Sequence, residues 1–138
     1  MFLRRTPMKA IQQDQFGSPD VLKVVEIPDP APLDTEVLVR TRAVGLNPVE
    51  VFIRDGRFPL LGQPPFILGW DIAGVVPGTH RFREGDEVFG MPLFPRAANG
   101  YAEKVAHRAR SGRGRRSHRQ ENRPIRQCRC HWPRPVAG

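Results

Sequence analysis

The side chains best suited to hold a metal ion lie close together near the end of the chain. Cys128, Cys130 and His131 offer the sulfur and nitrogen ligands that zinc prefers. One residue separates the two cysteines, whereas paired zinc ligands are normally two or more residues apart. The spacing argues against a metal centre, and we predict that these residues bind no metal.

A glycine pair, Gly112 and Gly114, is the feature of the sequence that comes nearest to a phosphate-binding loop. A dinucleotide-binding loop needs a strand before its Gly-x-Gly-x-x-Gly motif and a helix after it, so that the helix N-terminus faces the phosphates. The neighbouring residues are mostly Arg, Ser and His, without an apolar period of either 2 or 3.6 residues. We therefore predict no dinucleotide-binding loop in this chain.

Asn47 is suited to begin a helix, because its side chain can cap the first turn. Pro48 follows it and fits the first helical position, and Glu50 would lie near the positive end of the helix dipole. The Asp55-Gly56 pair is typical of a helix end. The sequence predicts a short helix from Pro48 to about Arg54.

The elements before and after this helix are short strands separated by turns rich in Pro and Gly. Glu36–Val44 is the clearest of them, because its β-branched residues alternate along the strand. Many short strands of this kind predict a mainly β domain, a small barrel or sandwich, over residues 8–106. The predicted strands are Met8–Gln12, Val21–Ile27, Glu36–Val44, Asp71–Val76, Glu87–Gly90 and Gly100–Ala106.

The net charge of +8 comes from one end of the chain. Residues 1–106 hold 12 Lys or Arg and 13 Asp or Glu, whereas residues 107–138 hold ten Arg, no Lys and one Glu. The front is therefore neutral and has no electrostatic reason to bind nucleic acid. Residues 107–138 cannot bury an apolar core, and we predict a disordered Arg-rich tail there.

Composition also indicates the cellular location of the protein. No apolar run approaches the roughly 20 residues that cross a membrane, and we expect no membrane association. Both cysteines lie in the tail, so the front has no disulfide framework and a cytoplasmic location is the default. Met8 begins the first strand pattern, which leaves it open whether translation starts there or at Met1.

Four segments together resemble the medium-chain dehydrogenase/reductase superfamily, over about residues 8–106. Each segment is weak alone, but their order and spacing are specific. The resemblance implies a GroES-like β-barrel with short helices, which packs against a Rossmann domain so that nicotinamide and substrate share the cleft. The segments are Gly45–Gly56, Leu68–Val76, Arg83–Gly90 and Gly100–Glu103.

The resemblance is to the zinc-free, quinone-oxidoreductase-like branch of that superfamily. Its zinc-dependent alcohol dehydrogenases place a Cys just before the short helix and a His in a Gly-His-Glu motif. Here these stretches read Gly45-Leu46-Asn47 and Gly69-Trp70-Asp71, and Trp70 cannot ligate zinc. The resemblance implies no zinc, NADPH as cofactor, and hydride transfer to a quinone or activated enone.

The resemblance also implies three site residues. Asn47 matches an asparagine near the nicotinamide, where its amide could donate to a carbonyl oxygen, although it could equally be a plain helix cap. Phe52 falls where many relatives carry a tyrosine near the cofactor, but we favour a core-facing aromatic. Arg54 could hold a cofactor phosphate, but we favour a solvated arginine at the helix end. For Asp71 we expect a local hydrogen-bonding role.

The resemblance stops at about Ala106, and nothing after that residue resembles a Rossmann domain. We therefore predict that this chain alone binds no cofactor and is inactive. The Arg-, Gly-, Pro- and Ala-rich tail has the composition of a high-GC gene read in a shifted frame. We hypothesise a frameshift between about Val105 and Arg110, which translation of the neighbouring frames would test.

Two other functions stay open from the sequence. The Arg-rich tail could bind nucleic acid through phosphates, although Trp132 is its one aromatic residue and base stacking would be weak. The β domain could also be a free-standing module that binds other proteins. A homo-oligomer is compatible with each of these functions.

Overall fold

A computed structural model describes residues 7–79, 82–91 and 95–107, together with the backbone of Arg126–Gln127. The described part is mainly β, as predicted, with one short α-helix and one turn of 3-10 helix over Pro19–Val21. In chain order the elements are β1 (Pro7–Gln13), β2 (Leu22–Pro28), β3 (Val37–Val44), α1 (Pro48–Arg54), β4 (Phe66–Ile67), β5 (Ile72–Val75), β6 (Glu87–Gly90), β7 (Lys104–His107) and β8 (Arg126–Gln127).

The strands form two sheets. The smaller sheet has the order β2-β1-β4, and β1 pairs with β2 along its whole length. The larger sheet has the order β7-β3-β5-β6-β8, antiparallel except for the parallel β6–β8 pair. β3 therefore lies inside this sheet, and its register with β5 shifts between Thr41 and Ala43.

The two sheets meet at residues 101–103, just before β7. The Ile11 amide of β1 donates to the Tyr101 carbonyl over 2.8 Å. The Glu103 amide donates to the Lys9 carbonyl over 3.0 Å, and the Glu103 carbonyl accepts from the Thr41 amide of β3 over 2.9 Å. This segment is thus hydrogen-bonded to both sheets and fixes one against the other.

The alternation predicted for β3 fixes the main core. Val37 and Val39 are buried at 4% and 0% exposure, whereas Arg40 and Arg42, which follow them on the strand, face solvent. The buried side of β3 packs against valines, an isoleucine and Phe82 from the neighbouring strands and turn. A second cluster fills the space under α1 and is formed by Ile53, Leu68, Trp70 and Ala98.

The structure differs from the sequence prediction at several points along the chain. β4 was not predicted, and the last front strand begins at Lys104, because residues 101–103 bend to join the sheets. His107, assigned by sequence to the tail, is the buried last residue of β7. Within the predicted tail, the backbone of Arg126–Gln127 pairs with β6, and residues 108–125 and 128–138 lie outside the described residues.

The only helices among the described residues are short. α1 has seven residues, and no helix in this part of the chain is long and apolar enough to cross a membrane.

Candidate functional site

The site is built where the chain leaves β3 and enters α1. The helix spans Pro48–Arg54 as predicted, with Asn47 as N-cap in an extended conformation at φ −114° and ψ 142°. Glu50 at the third helical position accepts a hydrogen bond from the Asn47 backbone N–H over 2.9 Å. This bond occupies one of the amide groups that a helix start leaves unpaired, and it holds Asn47 in place.

Asn47 faces the start of β5. Its side-chain Nδ2 donates to Asp71 Oδ2 over 2.7 Å, and both side chains are partly exposed. The Gly45 amide also donates to the Asp71 carbonyl over 2.8 Å. Asp71 therefore forms local hydrogen bonds, as expected from the sequence.

Glu50 lies beneath this pair, with only 3% of its surface exposed. Its carboxylate accepts from the Tyr101 hydroxyl over 2.6 Å and from the Trp70 amide over 3.3 Å, besides the Asn47 amide. Burial, followed by the hydrogen bond to Glu50 and the charge of Glu50, raises the pKa of the Tyr101 phenol well above its usual range. Three separate segments of the chain therefore meet on one buried carboxylate.

Trp70 is packed into the cluster under α1, with 2% of its surface exposed. Its indole Nε1 donates to the Arg96 carbonyl over 2.8 Å, so the ring has a fixed place and its polar edge is paired. Across the described ranges, no three His, Cys, Asp or Glu side chains are grouped closely enough to hold a metal ion. Cys128, Cys130 and His131 lie outside those ranges.

Phe52 does not face the core, and the prediction that it would was wrong. Its side chain is 43% exposed, and the Arg57 guanidinium carbon lies 4.5 Å from the centre of its ring. The opposite side of α1 supplies the buried residues Glu50 and Ile53, which leaves Phe52 on the outward face. An aromatic surface is thus available to a ligand, with a cation against one of its faces.

Arg54 ties the end of α1 to the turn that precedes β2. Its Nε donates to the Gly17 carbonyl over 3.1 Å, and the Gly17 amide donates back to the Arg54 carbonyl over 3.1 Å. The Gln13 side chain donates to the same carbonyl over 3.1 Å. Arg54 therefore has a structural partner in the turn and is more constrained than a solvated helix-end arginine.

An open groove with a volume of about 450 Å³ borders the site. Leu46, the neighbour of Asn47, lines it together with Tyr101, and Leu46 is 81% exposed. Three further apolar side chains of the groove are exposed, namely Ile11, Val24 and Val44. The surface next to Asn47 is therefore largely apolar.

Sequence reasoning did not identify Glu50 and Tyr101 as parts of the site. A local signal for Glu50 existed, because a Glu three residues after an Asn cap is the signature of a capping box. Tyr101 gave no comparable signal, since the residue that it contacts lies 51 positions away.

Comparison with known proteins agrees with this architecture. Residues 33–117 match the alcohol dehydrogenase GroES-like domain. Quinone oxidoreductase of Rattus norvegicus is 39% identical over 101 residues, which cover 70% of this chain and 30% of that enzyme. The chain thus spans about 30% of the length of the curated quinone oxidoreductases that it matches.

Solved structures give the same result for the fold. The quinone oxidoreductase from Coxiella burnetii superposes with a TM-score of 0.68 at 35% identity, over 75% of this chain and 35% of that one. A mycobacterial protein solved in complex with NADPH superposes with a TM-score of 0.60 at 32% identity, over 73% and 30% of the two chains. With more than half of its residues matched by the domain, the chain belongs to the alcohol dehydrogenase GroES-like domain family of the medium-chain dehydrogenase/reductase superfamily.

Proposed function

We propose that this chain is the substrate-side domain of a zinc-free oxidoreductase that transfers hydride from NADPH to a quinone or an activated enone. The observation that carries the proposal is the Asn47 amide, fixed by Asp71 at the accessible start of α1. Its support is the similarity to quinone oxidoreductases and to a protein solved with NADPH.

Asn47 is chemically suited to this task. One Nδ2 hydrogen is taken by Asp71, and the Asn47 side chain also faces the Glu50 backbone N–H in the capping box, which leaves the second Nδ2 hydrogen for another partner. That N–H fits the carbonyl oxygen of a nicotinamide carboxamide or of a substrate. NADPH, when bound, supplies the hydride. An N–H held close to a carbonyl oxygen stabilises the negative charge that develops there during reduction.

The surroundings of Asn47 fit a flat apolar substrate. Leu46 and the other exposed apolar side chains of the groove offer a surface that would pack against a quinone ring. Phe52 offers an exposed aromatic ring on α1, and we propose that it borders the nicotinamide or the substrate. Arg54 remains a weaker candidate for a cofactor phosphate, because its Nε already has a partner in the turn.

The residues present do not fit a catalytic zinc ion. Trp70 stands where zinc-dependent relatives have a histidine, and its only ring nitrogen is a donor that is paired with the Arg96 carbonyl. Asp71, next to it, is engaged by the amide of Asn47. We therefore propose a reaction in which the charge on the substrate oxygen is stabilised by hydrogen bonding and not by a metal.

The proposal can be tested in a chimeric enzyme, in which residues 7–107 of this chain replace the matching part of rat quinone oxidoreductase. We expect the chimera to oxidise NADPH in the presence of 1,4-benzoquinone. Asn47→Ala should lower kcat by about 100-fold, because it removes one preorganised donor to a developing charge. Elemental analysis should find no stoichiometric zinc. Comparison of benzoquinone with an activated enone then identifies the preferred substrate class.

Asp55→Asn is the matched control, since Asp55 lies at the other end of α1 and pairs with Arg57. We expect this variant to keep the kcat of the chimera. A chimera that is folded by circular dichroism but oxidises no NADPH with either substrate would contradict the proposal. So would full activity in Asn47→Ala.

The proposal includes a cytoplasmic location, because residues 1–106 contain no cysteine and thus no disulfide that an oxidising compartment would favour. A homo-oligomer remains compatible with it. Among the described residues no observation favours nucleic-acid binding by the tail, most of which lies outside them.

A further inference from the structure

The bond between Asn47 and Asp71 determines which way the Asn47 amide faces. The nitrogen and oxygen ends of an asparagine amide have nearly the same shape, so packing alone rarely distinguishes them. A carboxylate only accepts hydrogen bonds, and Asp71 Oδ2 lies 2.7 Å from the amide nitrogen of Asn47. Asp71 therefore keeps the nitrogen on its own side and directs the second N–H and the oxygen away from itself.

The backbone brings the two residues together through a close approach that only glycine permits. A Cβ atom on Gly45 would lie 2.8 Å from the Cβ of Asp71, well inside normal contact distance. The Gly45 amide donates to the Asp71 carbonyl across this contact, next to the Val44–Ile72 pair that ends the β3–β5 ladder. The Asn47–Asp71 distance is thus a consequence of the sheet and not of two flexible side chains.

Glu50 fixes the backbone on both sides of the pair. Its Oε2 accepts from the Asn47 amide over 2.9 Å, and its Oε1 accepts from the amide of Trp70, the residue before Asp71, over 3.3 Å. The Tyr101 hydroxyl holds the carboxylate from below over 2.6 Å. Since Glu50 is 97% buried, water does not compete strongly for these bonds.

We propose that Asp71 is a positioning residue that sets the orientation of the Asn47 amide for hydride transfer, with Glu50 holding the two backbones at the required spacing. The inference rests on the proposed function for its purpose, because orientation matters only if Asn47 meets a cofactor or substrate. The orientation itself is a property of the chain alone, and it can be measured without any reaction.

Nuclear magnetic resonance on the full ¹⁵N-labelled chain measures the orientation of the Asn47 side-chain amide directly. We expect the Asn47 side-chain amide to show one proton with slowed solvent exchange. Asp71→Ala should abolish this protection, and Asp71→Asn, which keeps an acceptor oxygen, should restore part of it. Asp55→Ala, at the other end of α1, should leave the protection unchanged. Fast exchange of both protons in the wild-type chain would overturn the inference.

A mutant cycle in the chimeric enzyme separates positioning from a general structural effect. Asp71→Ala should lower kcat by about 10–100-fold. If Asp71 acts through Asn47, the double variant should be no slower than Asn47→Ala alone. A double variant slower by the product of the two single effects would overturn the positioning role. Full activity in Asn47→Ala would instead contradict the proposed function, and the resonance experiment would still decide the orientation.

Discussion

Tyr101 is the only tyrosine of the chain, so its titration can be followed without interference from another phenol. Burial and the hydrogen bond to Glu50 raise its pKa in the folded protein above the value of about 10 expected for an unfolded chain. The neutral phenol therefore stabilises the fold fully below about pH 10, and this stabilisation is lost as the pH rises through the raised pKa. We expect the ultraviolet absorbance of tyrosinate to appear only above pH 10.

The same titration in urea-unfolded protein is the control and should give a midpoint near about 10. Glu50→Gln should move the folded pKa part of the way back, since it removes the charge of Glu50 and leaves the burial. A phenol that titrates near pH 10 while circular dichroism still reports the native sheet would contradict the contact between Tyr101 and Glu50.

Single residues show where sequence reasoning reached its limit. Asn47 as a helix cap and Asp71 as a hydrogen-bonding residue could be predicted, because both depend on neighbours in sequence or on a short motif. Phe52 could not be placed, because the side of a two-turn helix that faces the core depends on what packs against it. Glu50 and Tyr101 meet across 51 positions, a separation that no local pattern reveals.

At the scale of elements, the pairing of β5 with β3 depends on Gly74. A Cβ atom at this position would lie 2.9 Å from Val39 Cγ1 and far inside contact distance of the Arg40 carbonyl oxygen. The obstacle is backbone and a fully buried valine, so it cannot move aside without disturbing the pairing. We expect Gly74→Ala to lower the free energy of unfolding by about 2–3 kcal/mol, measured by urea denaturation.

Gly62→Ala separates this clash from the general cost of replacing a glycine. Gly62 has φ of +74°, but a Cβ atom there would meet nothing within 4 Å. Its replacement should cost only the strain of a left-handed residue, about 1–2 kcal/mol. If Gly74→Ala proved no more destabilising than Gly62→Ala, the close approach of β3 and β5 would be refuted.

The elements that could be predicted are those with a local pattern. The alternating β-branched residues of β3 and the cap, proline and glycine signals of α1 located both elements to within about one residue. β4 has two residues after a Pro-rich loop, and it exists because Phe66 and Ile67 pair with β1 far away in sequence. β7 begins later than predicted for the same reason, since residues 101–103 form hydrogen bonds with both sheets.

At the scale of the whole molecule, the final prediction concerns how much of a nicotinamide cofactor these residues could hold by themselves. The 138 residues span about 30% of the length of the matched quinone oxidoreductases, and they contain no Gly-x-Gly-x-x-Gly motif. In the proposed enzyme, Asn47 and the neighbouring apolar surface would contact only the nicotinamide end of NADPH. The adenine, ribose and pyrophosphate need a site of the kind that a parallel sheet and a helix N-terminus provide.

The 138-residue polypeptide prepared by itself should therefore show no saturable NADPH binding and no quinone-dependent NADPH oxidation above the uncatalysed rate. Holding a cofactor by one end gives up most of its orientation, and proximity and orientation can contribute about 7–11 kcal/mol to lowering a barrier. Titration of NADPH by fluorescence, followed by an assay with benzoquinone, measures both quantities, and the chimeric enzyme is the positive control. Saturable micromolar binding with turnover that disappears in Asn47→Ala would show that these residues hold the cofactor without further help.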